Sequence, residues 1–93
     1  MNEEHARQRA VEYLNQLVPD FAERCAIVDD STADEGWCWV FFWNSRRFLE
    51  TGSLDDALSG NAPVVVVKAT GSVRVTGTAF PLADYLAEIQ ARP

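Results

Sequence analysis

The spacing of hydrophobic and polar positions along this chain switches from helical to extended and back to helical. From Glu3 to Val18, Ala6, Ala10, Leu14, Leu17 and Val18 recur at steps of three and four with Tyr13 beside them, which places them on one face of a helix. Pro19 stops that helix. Cys25-Ala26-Ile27-Val28 then begins a strand that becomes polar at Asp29-Asp30-Ser31-Thr32 before a turn at Ala33-Asp34-Glu35-Gly36. The segment from Trp37 to Asn44 returns antiparallel. Side chains alternate in a strand, so Trp37, Trp39, Phe41 and Trp43 share one face while Cys38, Val40 and Phe42 share the other.

Val64-Val65-Val66-Val67 is also apolar on both faces, whereas Cys25–Val28 and Val73-Arg74-Val75-Thr76 are mixed; the apolar pair is therefore expected in the middle of the sheet. Thr70-Gly71 marks the hairpin return between the last two strands. Before them, Ser53 to Gly60 reads as a capped helical turn, with Ser53 as N-cap, Asp56 in the first turn and Gly60 at its end. Gly60-Asn61-Ala62-Pro63 forms a sharp turn. Glycine and asparagine tolerate positive φ, and Pro63 pushes Ala62 toward extended geometry. Near the end, Pro81 suits a first helical position, and Leu82, Tyr85, Leu86 and Ile89 make an apolar stripe. The expected architecture is α+β: one domain over residues 1–93, a four-stranded antiparallel meander, and N- and C-terminal helices covering one sheet face.

The run Gly60-Asn61-Ala62-Pro63-Val64-Val65-Val66-Val67-Lys68-Ala69-Thr70-Gly71 is preceded by Trp39-Val40-Phe41-Phe42-Trp43-Asn44-Ser45 and Phe48-Leu49-Glu50-Thr51-Gly52. It is followed by Gly77-Thr78 and Pro81-Leu82-Ala83-Asp84-Tyr85-Leu86. Over roughly Gly36 to Leu86 this pattern resembles the immunity protein 35, or YrhB-like, family. The resemblance implies a small cytoplasmic antidote encoded beside a bacterial polymorphic toxin, with a chaperone-like branch as the alternative. Its expected partner is the cognate toxin protein.

Charge narrows the partner class. Fourteen acidic against eight basic side chains give a formal charge of −6, which repels phosphate backbones and makes nucleic-acid binding an unexpected function. The excess acid serves solubility or steers the chain toward a basic partner, and charge alone does not choose. The longest apolar run, Trp37 to Trp43, is far shorter than the ~20 residues that span a bilayer. Met1-Asn2-Glu3-Glu4 lacks a basic and apolar leader, so a cytoplasmic protein without a membrane partner is expected.

Catalytic chemistry is thinly supplied. His5 is the only histidine, and nucleophilic catalysis needs a base within reach of its nucleophile and a third group to orient it. Cys25 and Cys38, with Cys25 expected opposite about Trp43, should lie on the order of 17 Å apart along the sheet, too far for a disulfide. Two buried, reduced thiols are the reading. Asp29 to Gly36 is too irregular for a calcium loop, and no glycine-rich turn leads into a helix with a phosphate-binding lysine. No cofactor, metal or enzymatic activity is expected. The tryptophans either fill the core or mark a sheet face left open for a partner or a second copy of the chain. The candidate partner-binding residues are Asp29, Asp30, Asp34, Glu35, Trp37, Trp39, Asp55 and Asp56, and the turn-forming residues are Gly60, Asn61 and Pro63. An antidote would lay one of the acidic loops over the toxin's active site; a chaperone would hold unfolded chains on the aromatic face.

Overall fold

A computed structural model describes residues 1–93. Helix α1 (Glu3–Leu17) starts at Asn2, whose side chain accepts the His5 backbone N–H. It buries Ala6, Ala10 and Leu14, the core of the expected stripe, while Leu17 stays 56% exposed. Past Pro19 comes an unexpected single turn, α2 (Phe21–Arg24). Its Phe21 is buried and meets Trp43 edge to face at 5.7 Å between centroids.

The strands are β1 (Cys25–Ile27), β2 (Ala33–Asp34), β3 (Cys38–Phe41), β4 (Trp43–Ser45), β5 (Val64–Val67) and β6 (Val73–Val75). The four-stranded antiparallel sheet has the order β2-β3-β5-β6, with the two apolar strands β3 and β5 in the middle as expected. Strands β1 and β4 form a separate two-stranded ladder. Cys25 pairs with Ser45, two residues beyond the expected Trp43. The first arm places five residues (28–32) between its two ladders and the returning arm only two (41–42). Asp29-Asp30-Ser31 is polar and leaves the ladder as a 3-10 turn, which absorbs the excess.

Two helices cover the sheet, but on opposite faces. Phe41, Val64 and Val66 face the α1 residues Ala6, Ala10 and Leu14, together with Phe21, Cys25 and Ile27. Cys38, Val40, Val65 and Val67 face Ile89, Leu82 and Leu86 of α4 (Leu82–Ala91). The placement of both helices on one face is thus corrected. Because β3 and β5 are apolar on both sides, each side must be kept from water, and one helix serves each. No open aromatic sheet face remains.

Helix α3 (Arg46–Thr51) has Ser45 as N-cap, its hydroxyl accepting the Phe48 N–H, and ends at Gly52 in the left-handed region. The expected helix after Ser53 is a single 3-10 turn, Leu54–Asp56, without a side-chain cap from Ser53. Gly60 does not close it. Gly60 does adopt φ +77°, as the turn reading required, and leads through Asn61 and Pro63 into β5. No helix is long and apolar enough to cross a membrane.

Candidate partner-binding surface

Of the sequence-derived residues, Asp34, Glu35, Trp37 and Trp39 lie at or next to the β2–β3 hairpin, Asp55 and Asp56 lie at the other end of the sheet, and Asp29 and Asp30 sit on the 3-10 turn between the two ladders. The run from Cys38 to Ser45 spans about 20 Å at the usual rise of a strand, with the β2–β3 hairpin at one end and α3 with the Leu54–Asp56 turn at the other.

At the hairpin end, Gly36 reverses the chain at φ +86° and donates its N–H to Asp34 Oδ1 at 2.8 Å. Lys68 Nζ donates to the same oxygen at 2.6 Å and lies 4.4 Å over the Trp39 ring. The Lys68 hydrogen bond, helped by the Gly36 N–H, holds the Asp34 carboxyl below its usual range. Asp29 receives Arg7 Nε at 2.7 Å and Arg7 Nη2 at 3.3 Å, which ties the 3-10 turn to α1. Asp29 and Asp34 are therefore already paired within the molecule. Asp30 and Glu35 are exposed and make no ion pair.

Trp37 and Trp39 do not share a face. Trp37 precedes β3 and packs with Phe42 against the α4 cluster, whereas Trp39 packs on the α1 side with Phe41 and Trp43. The expectation that Trp37 lines up with Trp39 fails because regular alternation begins only at Cys38. Both rings are half-buried.

The other end is a groove of about 790 Å³ between α2, β4, α3 and residues 55–61, with Val18, Cys25 and Trp43 among its walls. Polar side chains pin its loop side. Asn44 Oδ1 accepts the N–H groups of Ser45 at 2.8 Å and Leu58 at 2.9 Å. Asn61 Nδ2 donates to the Trp43 carbonyl at 2.7 Å, and Trp43 Nε1 returns a bond to the Ala62 carbonyl at 2.9 Å. Ser45 Oγ, besides capping α3, donates to the Asp56 carbonyl at 2.6 Å. Asp56 accepts Thr51 Oγ1 at 3.0 Å and pairs with Arg47 at 3.3 Å, so it anchors the loop to α3; Asp55 beside it is exposed and unpaired.

The groove was not anticipated. Its best sequence signal is Ser45 followed by Gly52, an N-cap and a helix-ending glycine that bracket α3. Leu54 is 84% exposed on the turn facing this helix, and Leu49 and Leu58 are also exposed.

Both cysteines are buried and unbonded. Burial raises the Cys25 thiol, and it pushes Cys38 up to about 11 with help from the nearby Glu35 charge. Such thiols are poor nucleophiles at neutral pH. His5 is exposed on the first turn of α1, and no three His, Cys, Asp or Glu side chains come together as metal ligands.

Fold and surface define a small α+β domain whose sheet is covered by one helix on each face, with a hairpin at one end and a groove at the other. Comparison with known proteins makes that class specific: the immunity protein 35 family model matches residues 4–88, and the chain belongs to that family. It is also 41% identical over 54 residues to the uncharacterized protein YrhB of Escherichia coli (strain K12), covering 58% of this chain and 57% of that relative. The alignment thus spans little more than half of the relative's length. No solved structure matches.

Proposed function

We propose that this protein is a non-enzymatic antidote that binds and inhibits the toxin of a bacterial polymorphic toxin system in the cytoplasm of the producing cell. The observation that carries this reading is membership of the immunity protein 35 family across residues 4–88. The geometry supports a binder. Its sheet is covered on both faces, its groove loop is fixed by side-chain hydrogen bonds, and a pre-ordered surface loses little conformational freedom on association. Inhibition is steric and electrostatic. The −6 charge draws in a basic partner, and exposed apolar groups hold it.

The chaperone alternative relied on an open aromatic sheet face. Helices α1 and α4 occupy both sides, which favours the antidote. If the adjoining reading frame encodes a toxin domain, co-expression with it tests the reading. Growth should be restored to a host that the toxin alone arrests; continued arrest in the presence of folded protein would count against it.

A further inference from the structure

We propose that the groove between α2, α3 and residues 55–61 is the toxin-docking surface, and that it receives a projecting segment with an apolar side chain flanked by Lys or Arg. This inference rests on the antidote reading and names the surface that would carry it out.

Three features of the groove end support the assignment. Leu54 is 84% exposed, Leu58 39%, and Leu17, next to the groove residue Val18, 56%. Leu58 lines the groove, whereas Leu54 and Leu17 adjoin the lining residues Asp55 and Val18 in sequence; exposed aliphatic side chains at the rim of a concavity gain when a partner covers them. The lining also carries four carboxylates against three arginines. Arg47 pairs with Asp56; Arg24 and Arg46 keep their charge, the latter while donating to the Ala22 carbonyl, and Glu23, Glu50 and Asp55 make no ion pair, which leaves the lining negative by one. Those carboxylates, in a molecule of charge −6, complement a basic segment rather than an acidic one. The loop wall is already fixed by Asn44, Ser45 and Asn61, so docking need not order it. The hairpin end offers less: Asp34 is paired with Lys68, and Trp37 and Trp39 pack on opposite faces; on the 3-10 turn between the ladders, Asp29 is paired with Arg7.

The probe is the toxin domain from the adjoining reading frame, made inactive and titrated calorimetrically against wild type and variants. Leu54→Asp should keep the wild-type melting temperature and weaken binding by at least about 30-fold, as a hot-spot residue does. Asp55→Lys should weaken binding most at low salt. Arg24→Gln, which removes a groove cation, should tighten it. Asp84→Lys, at an exposed position of α4, should stay within about threefold of wild type. Undiminished binding by Leu54→Asp and Asp55→Lys, with loss in Glu35→Lys, would move the interface to the hairpin and leave the antidote reading standing. A wild-type protein that does not bind this toxin removes both.

Discussion

Replacing Gly60 by valine tests the turn that feeds the central strand and closes the groove. Gly60 sits at φ +77°, where a side chain is strained, yet a Cβ built there meets nothing within 4 Å. The penalty therefore comes from the backbone alone, without a packing clash. A β-branched residue in that region should cost about 2 kcal/mol, a substantial part of the roughly 5–15 kcal/mol that holds a domain folded. For a chain of this size that corresponds to a melting temperature lower by about 8–16 °C. Gly60→Ala should cost less and Gly60→Asn least, because asparagine visits the left-handed region more readily. Pro63→Ala keeps the carbonyl that accepts Thr76 Oγ1 at 2.6 Å and should lose only about 0.4–1 kcal/mol, mainly through a freer unfolded chain. Circular-dichroism melts of the four variants check this order. A Gly60→Val protein that melts with wild type would show that the turn carries no strain.

Other perturbations probe the core, the thiols and the hairpin. Phe41 is fully buried, so Phe41→Ala should cost about 3–5 kcal/mol in urea unfolding, while half-buried Trp37→Ala should cost roughly 1–3 kcal/mol. Native protein should react slowly with a thiol reagent at neutral pH and denatured protein should yield two free thiols, in keeping with buried, unbonded Cys25 and Cys38; recovery of a disulfide would contradict the register. Asp34 has a lowered carboxyl pKa, so its contribution to stability is present above the unfolded value of 3.8 and is lost as pH falls through the lower folded value. The stability gap between wild type and Asp34→Asn should accordingly be constant above about pH 5 and close in more acid solution; a gap independent of pH would remove the Lys68–Asp34 contact from the account.

Much of the scaffold was legible because its signals are local. The three-and-four spacing of Ala6, Ala10 and Leu14, the apolar runs of β3 and β5, and the positive φ required at Gly60 all follow from side-chain chemistry within a few residues. The errors concern relations between segments. Nothing local to Leu82, Leu86 or Ile89 says which sheet face they cover, although two doubly apolar strands implied that both faces needed a helix. The shift of Cys25 to Ser45 depends on three polar residues leaving a ladder as a 3-10 turn. The site was the least legible part. Candidate acids were chosen by exposure in loops, but Asp29, Asp34 and Asp56 find Arg7, Lys68 and Arg47 across 22, 34 and 9 positions of sequence (29 − 7, 68 − 34 and 56 − 47). Leu54, an apolar residue between Ser53 and Asp55 in a short turn, carried no periodic signal at all.

An antidote and a chaperone differ most directly in the breadth and strength of what they bind. Calorimetric titration of the purified protein with the inactive toxin domain, and separately with a reduced, unfolded model protein, measures both. The account predicts saturable binding to the toxin in the nanomolar range, typical of preformed protein interfaces, and no heat or suppression of aggregation with the unfolded chain. Weak binding to the toxin together with comparable binding to the unfolded chain would contradict it.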